Sequence, residues 1–243
     1  MAPRSGRRAD RGVDVIFGRR DRAVQPDEAD LTASEDGTEP ETADGADEAS
    51  TVSHDPRADG PFDASEVDLT GDAVSRLALG PLTITPFEGM GLQFQGDTQT
   101  QTIYSALAMH ENSGLQLELF AAPTSGGLAD ELREDAVEEA EQQGGTAEVQ
   151  DGPFGLELKR VLPMEGPEGE QLFHVSRVWL VDGPRWVLRG TVMGQAALVA
   201  GEEEPADVFA EFFRNVIVHR DDAPRVPGEL ITLVLPDLPG AEG

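Results

Sequence analysis

The feature that most constrains this chain is a break in composition near Asp72. Up to that point the sequence is polar and acidic, and only Phe17 and Phe62 contribute aromatic rings. Beyond it come alternating apolar stretches and two amphipathic segments. A stretch with so few large apolar groups cannot bury enough surface to offset its ordering entropy. Residues 1–58 are therefore expected to form a disordered arm, residues 59–238 one folded domain, and residues 239–243 a flexible tail. The roughly 170 residues past the break are enough for a single core.

Charge divides as unevenly as hydropathy. Residues 1–20 hold six Arg and two Asp, whereas residues 21–72 hold two Arg and 17 acidic groups, in a chain of net charge −29. The arm thus has a basic tip and an acidic spacer. The remainder is also acidic, which disfavours direct contact with a nucleic-acid backbone and favours a basic protein partner. Cysteine is absent, so disulfides, thiolate metal sites and cysteine nucleophiles are excluded. Lys159 is the lone lysine, a bias that fits a GC-rich coding sequence.

No run approaches the ~20 apolar residues of a membrane span. The basic N-terminus lacks an apolar h-region, so no signal peptide is expected and the assigned location is the cytoplasm. A GTG start codon reads as valine when an upstream start is chosen. The apolar cluster Val15-Ile16-Phe17 before Gly18-Arg19-Arg20 suggests that translation begins at Val15 or Val13.

Strand periodicity starts at Leu77–Leu79 and Leu82–Thr85, and continues at Leu92–Gln95, Thr102–Met109 and Leu115–Leu119. The last alternates cleanly and is expected to have one wet face. A helix is expected over Leu128–Gln143, with Leu128, Leu132, Ala136, Val137 and Ala140 on its apolar stripe and Gly144-Gly145 as its stop. Strands resume at Ala147–Val149 and Leu156–Leu162, and Pro163–Gly169 reads as a loop. Phe173–Val181 and Arg185–Met193 read as a hairpin joined around Gly183-Pro184. With a tight turn, Trp179, Val181, Trp186 and Leu188 share one face. Val178, Leu180, Val187 and Arg189 share the other, so the hairpin should be central and covered on both sides. Val208, Phe209, Phe212, Phe213, Val216 and Ile217 form a second helical stripe, with Pro205 in its first turn. A final strand is expected near Leu230–Leu235. The tripeptide Asp-Gly-Pro recurs at Asp59, Asp151 and Asp182 and reads as turns, without a domain repeat.

The pattern carries little chemistry. Thr124-Ser125-Gly126-Gly127 opens a helix and resembles an anion site, but Asp130 and Glu131 already occupy the first turn and would repel phosphate. His54, His110, His174 and His219 have no second ligand at helical spacing, so no metal site, cofactor or catalytic residue is assigned. The most specific constellation is Arg185, Trp186 and Arg189. Two guanidiniums beside an indole could grip a small anion. The alternative is that Trp186 is core and Arg189 pairs with a nearby acid.

Several short stretches occur together in order: Val15-Ile16-Phe17-Gly18-Arg19-Arg20, Gly60-Pro61-Phe62-Asp63, Phe120-Ala121-Ala122-Pro123 with Ser125-Gly126-Gly127-Leu128, Gly152-Pro153-Phe154-Gly155, and Asp182-Gly183-Pro184-Arg185-Trp186 with Leu188-Arg189-Gly190. As a set the chain resembles an uncharacterised actinobacterial family, a domain of unknown function with an acidic head. The resemblance implies a cytoplasmic protein and, through genes lying near a dUTPase gene, a link to nucleotide metabolism. The order of elements is also similar to the Mog1/PsbP-like α/β/α sandwich, many of whose members are binding or assembly factors.

The expected fold is therefore α+β, an antiparallel sheet packed by two main helices behind a disordered acidic arm. The expected function is a non-enzymatic protein-interaction or assembly module. The alternative is a binder or enzyme for a small anionic ligand or nucleotide, using Arg185, Trp186 and Arg189.

Overall fold

A computed structural model of the chain describes residues 57–235, except 72, 98 and 101. The described residues fall within one compact unit, Thr51–Gly243. The Val15–Arg20 cluster, the Val13 or Val15 start, the arm up to residue 56, His54 and the 239–243 tail lie outside the described residues.

In chain order the elements are β1 (Phe62–Asp63), β2 (Leu77–Ala78), β3 (Leu82–Ile84), β4 (Gly91–Asp97), β5 (Thr102–His110), β6 (Ser113–Ala121) and α1 (Leu128–Gln142). There follow β7 (Thr146–Gly152), β8 (Gly155–Glu165), β9 (Gln171–Gly183), β10 (Trp186–Gly194), α2 (Asp207–Arg214), β11 (Ile217–Val218) and β12 (Leu230–Ile231). The protein is α+β, with two α-helices and a large antiparallel sheet in the order β4-β5-β6-β10-β9-β8-β7. No helix among the described residues is long and apolar enough to cross a membrane.

Strand β6 is the hub. One edge pairs with β10 along its whole length. Its other edge is shared: β5 takes Ser113–Leu117, while β12 pairs with Leu119 and Phe120. Leu233 then bridges Ile103, so the late chain fills the gap where β5 and β6 diverge.

The hairpin faces expected from sequence are the observed ones. Gly183 pairs with Trp186, leaving Pro184 and Arg185 as the turn, and Arg185 takes φ 64°. Trp179, Val181, Trp186 and Leu188 join one buried cluster with Phe209, Phe212 and Phe213 of α2. Val178, Leu180 and Val187 join another with Leu128, Ala129 and Ala136 of α1. A fully buried Phe contributes about 1.5–3 kcal/mol, so the three phenylalanines make α2 a principal source of stability despite its brevity. The Phe213 ring lies 4.7 Å from Phe154 and 5.5 Å from Trp179, both edge-on. Gly190 permits this approach, because a Cβ there would stand 2.7 Å from Phe213 Cε2.

The structure departs from the sequence reading at four places. Helix α2 stops at Arg214, where Asn215 Nδ2 donates to the Glu211 carbonyl at 2.8 Å. Val216 and Ile217 therefore leave the helix, and Ile217-Val218 becomes β11, held between β1 in parallel and β3 in antiparallel pairing. Together with β2 these strands form a second, four-stranded sheet that the helical spacing concealed. Pro205 precedes the helix instead of lying in its first turn. The Pro163–Gly169 loop begins later, since β8 continues through Glu165. Finally, the polar face of β6 is not open: Gln116 and Glu118 are only half-exposed, and Glu118 pairs with Arg189.

Candidate functional site

The most exposed large apolar side chain in strand among the described residues, Phe173, lies on the β8–β9 hairpin. Strand β7 accompanies β8 only as far as Val161, and β10 accompanies β9 only from Ser176. Residues 162–165 and 171–174 therefore pair with one another and, among the described residues, have no strand on either side. Pro163 is tolerated within this strand because an edge position needs no ladder donor. Phe173 is 62% exposed, Met164 47% and Leu172 40%.

Pairing fixes how these groups are displayed. Met164 lies opposite Leu172, and Pro163 lies opposite Phe173. Successive side chains alternate across a strand, so one face presents Met164 and Leu172 and the other Pro163 and Phe173. The ribbon is apolar on both faces. Its tip is tightened by the Gly166 N–H, which donates to the Glu170 carbonyl at 2.8 Å, and by the Glu168 N–H, which donates to Glu170 Oε2 at 2.9 Å. Glu165, Glu168 and Glu170 crown it, and no Lys or Arg occurs from Val161 to Ser176.

The expected anion constellation is spread over three environments. Trp186 is fully buried, and its Nε1 donates to Asp63 Oδ2 at 2.9 Å. Arg189 points to the opposite face of β10, where Nη2 lies 2.7 Å from Glu118 Oε2 and the guanidinium sits 4.8 Å above the Phe120 ring. Arg185, in the turn, donates through Nη2 to the Asp221 carbonyl at 3.1 Å. The three are not brought together, because positions 186 and 189 have opposite parity on one strand. Arg185 instead adjoins a second basic group, since Arg220 Nε donates to its carbonyl at 3.2 Å.

Two polar centres escaped the sequence reading. Glu157 and Arg177, both almost fully buried, form a bidentate pair with Arg177 Nη2 2.8 Å from Glu157 Oε2. Trp179 Nε1 and Gln150 Nε2 also donate to Glu157, at 2.7 and 2.6 Å. Arg177 spends its remaining donors on the Val199 and Gly201 carbonyls, at 3.2 and 2.8 Å. A buried pair in which every nitrogen and oxygen has a partner ties strands to a loop. Its one sequence signal is Arg177 two residues from Trp179, on the same face of β9.

The second centre is Asp182 of β9, half-buried, with its Oδ1 enclosed against the start of α1. Burial raises its carboxyl above the usual range. The backbone N–H groups of Ala129 and Gly127 oppose the rise, Asp130 adds to it, and Arg133 opposes it. The helix end that resembled a phosphate site thus faces a carboxylate of the chain itself. Among the described residues no three His, Asp or Glu side chains are placed to hold a metal ion.

A family model described as "Protein of unknown function (DUF3710)" matches residues 60–241. The chain belongs to this family. The DUF3710 match takes in both sheets, both helices and the projecting hairpin. No curated protein matches this DUF3710 chain. Among solved structures, one from Bacteroides thetaiotaomicron VPI-5482 shares 12% identity at a TM-score of 0.33, over 63% of this chain and 52% of that one. The solution structure of cyanobacterial PsbP (CyanoP) from Synechocystis sp. PCC 6803 shares 10% identity at a TM-score of 0.33, over 65% of this chain and 99% of that one. The DUF3710 chain thus spans about half the length of the Bacteroides protein.

Proposed function

We propose that this protein is a non-enzymatic protein-interaction module of the cytoplasm, and that the β8–β9 hairpin is the part that engages its partner. The observation that carries this reading is a two-stranded ribbon, apolar on both faces, standing clear of its sheet. Such a ribbon alone is marginal in water, and exposed apolar groups on it favour burial against another surface. Because both faces are apolar, the complement is a cleft that admits the ribbon rather than a flat patch. The glutamate crown selects a cleft rimmed by Lys and Arg, and disfavours a second copy carrying the same crown. The family assignment leaves the activity open, so this reading rests on the geometry alone. The two buried clusters on either side of β9 and β10 support a layered α/β/α arrangement for the 59–238 domain.

A photo-crosslinking residue placed at 173 in native cells tests the proposal. One dominant adduct is expected, absent when the probe stands at the exposed position 138 on α1. That adduct should be lost when Glu165, Glu168 and Glu170 are reversed to Lys. Adducts that match those of the 138 control, or that survive the charge reversal, overturn it.

A further inference from the structure

After β11 the chain turns across the small sheet and encloses a groove of about 490 Å³, walled by Pro81, His219, Arg220, Asp221, Arg225 and Thr232. In a chain of net charge −29, two guanidiniums converge on this one wall. Arg220 is well anchored: its side chain is 6% exposed, Nε is held by the Arg185 carbonyl, and Nη1 lies 2.8 Å from Asp221 Oδ1. Arg225 approaches the same carboxylate from the other side, with Nη2 3.2 Å from Asp221 Oδ2. Its Nη1 lies 3.5 Å from Glu229, and its Nε is buried without a hydrogen-bond partner.

Asp221 is therefore a carboxylate gripped by two arginines and by the Ala223 backbone N–H, yet it is 54% exposed. It occupies the position that an oxyanion would take between a fixed guanidinium and a movable one. The floor beyond is apolar, supplied by Ile231 and Val234. Arg forks match phosphate oxygens in pairs, and a dianion neutralises two guanidiniums where one carboxylate neutralises a single one.

We propose that this groove binds the phosphate of a small phosphomonoester with an apolar body, by exchange for the Asp221 carboxylate. The phosphate takes over the Arg220 and Arg225 donors and also engages Arg225 Nε, which Asp221 leaves unsatisfied. Asp221 swings into solvent, and the apolar body rests on Ile231 and Val234. The overall negative charge of the chain acts weakly against this at physiological ionic strength, where screening falls within about 8 Å. This site is independent of the hairpin and stands or falls without it.

Titration calorimetry with phenyl phosphate and with inorganic phosphate tests the exchange. Asp221→Asn removes the resident competitor and should tighten phenyl phosphate binding about tenfold, or about 1.4 kcal/mol. Arg225→Met, added to Asp221→Asn, should weaken it by at least that factor. Inorganic phosphate should bind more weakly than phenyl phosphate, because it leaves the apolar floor uncovered. Near-UV circular dichroism confirms that each variant keeps its fold. Unchanged or weaker binding in Asp221→Asn, or binding that survives Arg225→Met, overturns the proposal. So does the absence of phenyl phosphate binding to Asp221→Asn at millimolar concentration.

Discussion

The indole Nε1 of Trp186 donates to Asp63 Oδ2 at 2.9 Å, joining positions 123 residues apart. Asp63 also receives the Ser65 N–H at 3.0 Å and the Ser65 hydroxyl at 2.6 Å, and Arg57 lies 5.6 Å over the Trp186 ring. The first strand is thus bolted to the centre of the main sheet by one carboxylate. Asp63→Ala leaves a buried indole N–H without an acceptor and should cost about 1–3 kcal/mol in urea unfolding at neutral pH.

The same carboxylate sets a pH dependence. Burial pushes the Asp63 pKa up, but the Ser65 and Trp186 hydrogen bonds and the Arg57 charge outweigh it, so the value lies below the usual carboxylate range. A depressed pKa gives stability that is complete above the unfolded value and lost as pH falls through the folded one. Wild type should therefore exceed Asp63→Asn in stability at neutral pH, with the gap closing only below about pH 4. A gap that stays constant down to pH 2 would contradict this.

Asp182 has the opposite sign. Its pKa is raised, first by burial, so its ionised form is disfavoured in the folded state. Asp182→Asn should raise the melting temperature at pH 7. The gain should shrink as pH falls through the folded pKa, where the wild-type carboxyl becomes neutral. Melting curves from pH 7 to pH 4 check the trend.

The Glu157–Arg177 pair should behave cooperatively. Removing one partner strands a buried charge, so Glu157→Gln and Arg177→Met should each cost about 3–5 kcal/mol. The double variant should lose clearly less than the sum of the two, which a double-mutant cycle measures. Additive losses would mean that the two groups act separately.

Gly183 tests close packing without backbone strain, since its φ is not positive. A Cβ at this position would fall inside the Trp186 indole. Gly183→Ala should therefore destabilise by about 1–3 kcal/mol and alter the near-UV signal of the tryptophans.

Much of the framework was legible because its signals are local and periodic. The stripe from Leu128 to Ala140 gave α1, and the alternation from Trp179 to Leu188 gave two buried faces. The end of α2 was not legible, because Val216 and Ile217 continue the helical spacing by coincidence while β1 and β3 claim them for a sheet. The pairing that does so involves Phe62 and Thr83, far away in sequence. The site was harder still. Trp186 and Arg189 stand close in sequence but on opposite faces, whereas Arg220 and Arg225 converge on Asp221 in a stretch outside helix and strand, where no periodicity announces it. Phe173 looked like any apolar strand residue. Its exposure follows from where β7 and β10 stop, which no spacing within β9 reveals.

The late chain filling the second edge of β6 has a consequence for biosynthesis. On the ribosome, strands β4 to β10 emerge and can zip together first, yet the Leu119–Phe120 segment keeps a bare ladder until Leu230–Ile231 appears. Throughout that interval the nascent sheet offers an open seam at its hub, exposed to any extended peptide nearby. Chains truncated before Leu230 should therefore aggregate more than chains truncated after Leu233.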